Sequence, residues 1–94
     1  MLVRVWQYDV VPGVEAEFER VYGRNGDWAR LFARSAGYLG TGLFRDVGVP
    51  GRYLTVDRFS GPDAWQPFLQ VHGAAYEALD ARCGRLTVSE VELV

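Results

Sequence analysis

A chain of 94 residues with a formal net charge of −2 is sized for one domain, and at 49% hydrophobic and 14% aromatic it is too apolar for disorder. All ten basic residues are arginine, scattered from Arg4 to Arg85 among acidic residues, so there is no reason to expect nucleic acid as a partner. The lack of lysine excludes a Schiff base or a P-loop, the single Cys83 excludes an internal disulfide, and no apolar run nears the ~20 residues of a bilayer span.

Residues 2–11 are rich in β-branched and aromatic types and contain no breaker, which predicts a strand with Leu2, Arg4, Trp6, Tyr8 and Val10 on one face. Pro12-Gly13 ends it. Val14, Phe18, Val21 and Tyr22 then recur at helical spacing behind an acidic first turn. After Gly23-Arg24-Asn25-Gly26, Asp27 is the expected N-cap of a short second helix holding Trp28, Leu31 and Phe32. A second strand is predicted over Tyr38 to Asp46. The turn residues 47–51 join it to a third, Arg52 to Phe59, with Tyr53, Thr55, Asp57 and Phe59 on one face. Ser60-Gly61-Pro62-Asp63 has capping-box spacing with Ser60 as N-cap. The helix behind it carries a stripe of Trp65, Leu69, His72, Tyr76, Leu79 and Cys83, with Phe68 beside it. Leu86 to Val94 reads as a fourth strand whose alternation slips near Ser89-Glu90, as at a bulge or a late start.

The order β-α-β-β-α-β predicts an α+β, ferredoxin-like single domain over residues 1–94, with both helical segments on one face of an antiparallel sheet. So many large aromatics in so small a domain predict self-association through the other face, as a homodimer. The first residues, Met1 to Val5, lack a signal-peptide layout, and a cytoplasmic protein is the expectation.

Trp6-x-Tyr8-x-Val10-x-Pro12-Gly13, Glu17-Phe18, Tyr22-Gly23 and Gly26-Asp27-Trp28-x-x-Leu31-Phe32 resemble the antibiotic biosynthesis monooxygenase-type domains. So do Gly37-Tyr38-x-Gly40-Thr41, Arg52-Tyr53-Leu54-Thr55-x-Asp57, and Tyr76-x-x-Leu79-Asp80 with Cys83. The resemblance spans nearly the whole chain. It implies a dimeric α/β barrel and a cofactor-independent oxygenase, in which an aromatic, polyketide or quinone-like substrate loses a proton and passes an electron to oxygen without metal or organic cofactor. Haem-degrading relatives use an Asn on the first strand, where this chain offers Gln7. That departure speaks against haem degradation.

His72 is the one side chain with an ordinary pKa near neutrality. As a base it needs its second nitrogen held, and Asp57 or Asp9 is placed to do so. His72, Asp57 and Tyr8 are therefore the expected catalytic set. Trp6, Trp28, Trp65 and Tyr76 are expected to stack on a flat ligand, with Asn25 at the pocket mouth. Each also has a structural reading, as core aromatic, core histidine or turn residue. Asp9, Asp57, Arg45 and Arg58 are strand charges that either pair with one another or orient a substrate oxygen. One Cys and one His do not make a zinc site. An oxygenase, a non-enzymatic binding domain and a purely structural dimer all fit these residues.

Overall fold

The computed structural model describes residues 1–94. In chain order it has β1 (Leu2–Val10), α1 (Glu15–Tyr22), α2 (Asp27–Phe32), β2 (Tyr38–Arg45), β3 (Arg52–Phe59), α3 (Pro62–Cys83), a 3-10 turn (Gly84–Leu86) and β4 (Thr87–Glu92). The strands form one antiparallel sheet ordered β2-β3-β1-β4, and the fold is α+β and ferredoxin-like. No helix is long and apolar enough to cross a membrane.

The alternation in β3 becomes alternation of burial. Tyr53, Thr55, Asp57 and Phe59 are buried under the helices, while Leu54 and Val56 lie half-buried on the opposite face. Aromatic rings fill the layer between. Phe18 stacks on Tyr22 at 4.1 Å and meets Tyr53 at 4.9 Å. Phe32 meets Phe59, Trp65 and Phe68 edge to face. Burying such a side chain contributes about 1.5–3 kcal/mol, and this layer is the main source of stability.

Tyr53 adds a polar tie. Its hydroxyl donates to Glu19 Oε2 at 2.5 Å, joining the sheet to α1, and burial together with this bond pushes its pKa up to about 12. Tyr53→Phe removes the bond and leaves the exposed Glu19 free to rehydrate. The expected loss is about 1 kcal/mol, a fall in melting temperature of roughly 4–8 °C by circular dichroism.

Two local expectations need correction. Asp27 is not the cap of α2. Gly26 is, because α2 starts so close to α1 that a Cβ there would sit 2.4 Å from the Arg20 and Val21 carbonyl oxygens; Asp27 instead pairs with Arg30 inside the first turn. Ser60 does not cap α3, which starts at Pro62 behind Gly61, without a side-chain cap. Ser60 is exposed, and its backbone N–H donates to the Gly37 carbonyl. The slip expected in β4 is a late start together with a bulge: the strand begins at Thr87 after the 3-10 turn. Asp9 pairs with Ser89 and Val10 with Thr87, so Val88 is the extra, unpaired residue.

β2 carries a second bulge. Tyr38 pairs with Phe59 and Gly40 with Arg58, which leaves Leu39 out of the ladder and exposed. Gly40 takes φ +140, a conformation side chains rarely adopt. Because of that extra residue, Tyr38 and Thr41, three apart, face the helices together.

Candidate active site

Between helices and sheet lies a narrow slot of about 490 Å³, its mouth included. The sheet supplies a largely polar floor: Arg4, Trp6 and Tyr8 from β1, Thr41 from β2, Thr55 and Asp57 from β3, Glu90 from β4. The helices supply a mostly aromatic roof of Tyr22, Trp28, Phe32 and Tyr76, with Asp80 at its edge. Trp28 and Tyr76 meet edge to face, centroids 5.0 Å apart.

Asp57 is the buried carboxyl of this floor. Thr41 Oγ1 donates to its Oδ1 at 2.6 Å, and no hydrogen bond reaches Oδ2. Burial raises its pKa, against the opposing pull of the Thr41 hydroxyl and of Arg4 and Arg58. Burial likewise raises the Tyr8 and Tyr22 hydroxyls, so both stay neutral donors over the working pH range. Glu90 is raised by burial and then by Asp80. Arg4, the one cation of the lining, donates to Glu92 at 3.0 Å and lies 4.1 Å from the Trp65 ring centroid.

Two buried polar atoms of the lining make no well-formed hydrogen bond: the Trp28 indole N–H, whose polar neighbours are the Tyr22 hydroxyl and the Cys83 thiol, and the Thr55 hydroxyl, beside that of Tyr8. Folded proteins pair such groups in the great majority of cases, and leaving one unpaired costs about 1–3 kcal/mol. An indole N–H can only donate. What suits it is an oxygen acceptor on a bound molecule.

The slot brings together Asp57, Tyr8, Trp6, Trp28 and Tyr76 from the residues expected on sequence grounds. Trp65 stays in the aromatic layer, stacked on Phe68 with Arg4 above it. Asn25 is exposed in its turn, where its carbonyl accepts from Arg30. His72 does not face the slot or Asp57. It is half-buried against Phe68, in an outer groove with Gly37, Ser60 and Ala64, because Trp65, Phe68 and Tyr76 already fill the interior beside Phe32. Asp9 lies on the other face of the sheet, bound to Arg52 at 2.9 Å and to Ser89, and both bonds hold its pKa below the usual value. The reading from residue types missed Thr41 and Thr55. Threonine is ordinary in strands, and only the bulge at Leu39 turns Thr41 toward Asp57.

No protein-family model and no curated protein sequence matches the chain, but solved structures do. SnoaB, a cofactor-independent oxygenase from Streptomyces nogalater, shares 25% identity at a TM-score of 0.69, over 98% of this chain and 89% of its own. A candidate antibiotic biosynthesis monooxygenase from Bordetella bronchiseptica gives a TM-score of 0.72 at 24% identity, over 97% and 90%. The chain folds as an antibiotic biosynthesis monooxygenase-type domain. An MhuD variant with two manganese protoporphyrin IX molecules per active site shares this fold at 23% identity and a TM-score of 0.61, over 97% and 88%. In the present chain Gln7 points to the far face of the sheet and His72 to the outer groove.

Proposed function

We propose that this domain is a cofactor-independent monooxygenase acting on a small hydroxylated aromatic or quinol-like compound. The observation that carries the reading is the pairing, in one aromatic slot, of a buried carboxyl with two polar atoms that make no well-formed hydrogen bond within the chain, Trp28 Nε1 and Thr55 Oγ1. Asp57 Oδ2 takes the proton of the substrate. The oxygen on which charge then develops is held by the Trp28 N–H and the Thr55 hydroxyl. The electron-rich anion passes an electron to dioxygen. For an anthrone the sum balances: the ring CH2 and O2 give a carbonyl and water. Tyr8 and Tyr22 remain neutral and line the slot.

The free slot holds room for only about three water molecules. A ring system enters when Trp28 and Tyr76 part. The direct test is oxygen uptake by the protein with a hydroxyanthrone as probe, in the presence of a chelator. Uptake above the uncatalysed rate supports the reading, and none overturns it. His72's place outside the slot favours a second reading, a domain that binds such a compound without turning it over. Binding without uptake would establish that one.

The charge of the lining sets a preference. Asp57, Asp80 and Glu90 face the slot, and the single cation is engaged by Glu92. A neutral hydroxyanthrone is expected to bind about ten-fold more tightly than a carboxylated analogue at low salt. Screening should narrow that gap in high salt, as read by titration calorimetry.

The uncovered face of the sheet is where a second copy would sit. Phe44, Leu39, Val91 and Leu93 are about half exposed there, around Val5 and Val56. Two such faces in contact would close the barrel of a homodimer.

A further inference from the structure

Tyr38 does not line the slot, yet it is tied to the slot's carboxyl. Its hydroxyl lies 2.6 Å from Thr41 Oγ1, and Thr41 Oγ1 lies 2.6 Å from Asp57 Oδ1. Thr41 has one hydrogen and donates it to the carboxyl, so Tyr38 must donate to Thr41. The chain therefore has one polarity, Tyr38 to Thr41 to Asp57. It exists only because the Leu39 bulge, with Gly40 at φ +140, puts Tyr38 and Thr41 on one face.

We propose that Tyr38 and Thr41 are positioning residues that make Asp57 a one-sided base, binding Oδ1 and leaving Oδ2 for the substrate. This rests on Asp57 being the base of the proposed oxygenase. The device solves a real difficulty. A buried carboxyl with no donor would take up a proton and stop acting as a base, whereas a strong ion pair would hold it too acidic to accept one. A hydroxyl donor on one oxygen lies between these limits. It also stops rotation about the Cβ–Cγ bond from exchanging the two oxygens.

Other groups also set the titration of Asp57. Arg4 and Tyr8 face it from β1, Glu90 from β4, and Arg58 is its neighbour on β3. Tyr22 of α1 and Tyr76 and Asp80 of α3 close the slot above; α2 adds only the uncharged Trp28 and Phe32. None of them donates a hydrogen bond to Asp57, so the Thr41 contribution can be isolated.

The test is the titration of the Asp57 side-chain carboxyl by 13C NMR in the full chain, with oxygen-uptake kinetics alongside. Thr41→Val should titrate at higher pH than wild type and Thr41→Ser as wild type, with Tyr38→Phe between. The acid limb of kcat/KM for hydroxyanthrone should move the same way, leaving Thr41→Val about ten-fold slower at its acid end and near wild type at alkaline pH. A Thr41→Val carboxyl that titrates at or below the wild-type pH overturns the proposal. If Thr41→Val does not fold, Tyr38→Phe decides in its place, and an unmoved titration there overturns it equally. Wild type inert toward hydroxyanthrone, with the carboxyl titrating as expected, removes the oxygenase and leaves the positioning of Asp57 standing.

Discussion

Asp57→Asn is expected to lower hydroxyanthrone turnover by about 10²–10⁴-fold and, at neutral pH, to raise the melting temperature by a few degrees. The loss follows from removing the group that accepts the proton while keeping its shape. The gain follows from linkage. Burial raises the folded pKa of Asp57 above its unfolded value of about 3.9. Between those two pH values the folded chain holds a proton that the unfolded chain has released. Stability therefore falls as pH rises through that window and stays at the lower level above it. Asparagine has no proton to lose, and its carbonyl oxygen still accepts from Thr41. The advantage of Asp57→Asn in melting temperature should thus vanish as pH drops below the unfolded value. A variant that turns over at the wild-type rate would show that the base is another group. One that melts lower than wild type at neutral pH would show that the ionised Asp57 stabilises the fold instead of straining it.

The histidine that residue chemistry favours is absent from this site, and the reason is packing. On a helical wheel His72 shares the stripe of Trp65, Tyr76 and Cys83, so periodicity directs it inward. Periodicity does not say which members of a stripe find room. Phe32 gathers three α3 aromatics around itself, and the histidine is left at the edge, against Phe68. The β3 pattern was easier to read, since strict alternation from Tyr53 to Phe59 has one solution: Asp57 under the helices beside Thr55. Trp6 and Tyr8, two residues apart on β1, were legible for the same reason. Thr41 was not. Without the bulge it would share a face with Leu39 and Leu43 and lie opposite Tyr38; the extra residue turns Tyr38 and Thr41 to one side. A glycine inside a strand is the signal for such a bulge, and Gly40 stands at that point.

Val56→Glu is expected to convert a dimer into a monomer of 10.6 kDa in sedimentation equilibrium, with the far-ultraviolet circular dichroism unchanged. Val56 sits at the middle of the uncovered face, paired across the strands with Val5 on one side and Gly42 on the other. In the single chain the new carboxylate would point to water and disturb none of the helix-side core. Against a second copy it would be stripped of water near its own symmetry mate, and each unpaired buried ion costs several kcal/mol, enough to weaken association by a thousand-fold or more. Val56→Leu keeps the face apolar and should remain dimeric. Wild type at 10.6 kDa would remove the barrel, and a Val56→Glu dimer would place the interface elsewhere on the surface. The outcome also bears on catalysis. Val56 stands between Thr55 and Asp57 on one strand, so the back of the uncovered face is the floor of the slot. If the second copy stiffens that floor, the monomer should keep its affinity for a hydroxyanthrone within a few-fold and lose more in turnover. Geometry at the base matters to proton transfer far more than to binding.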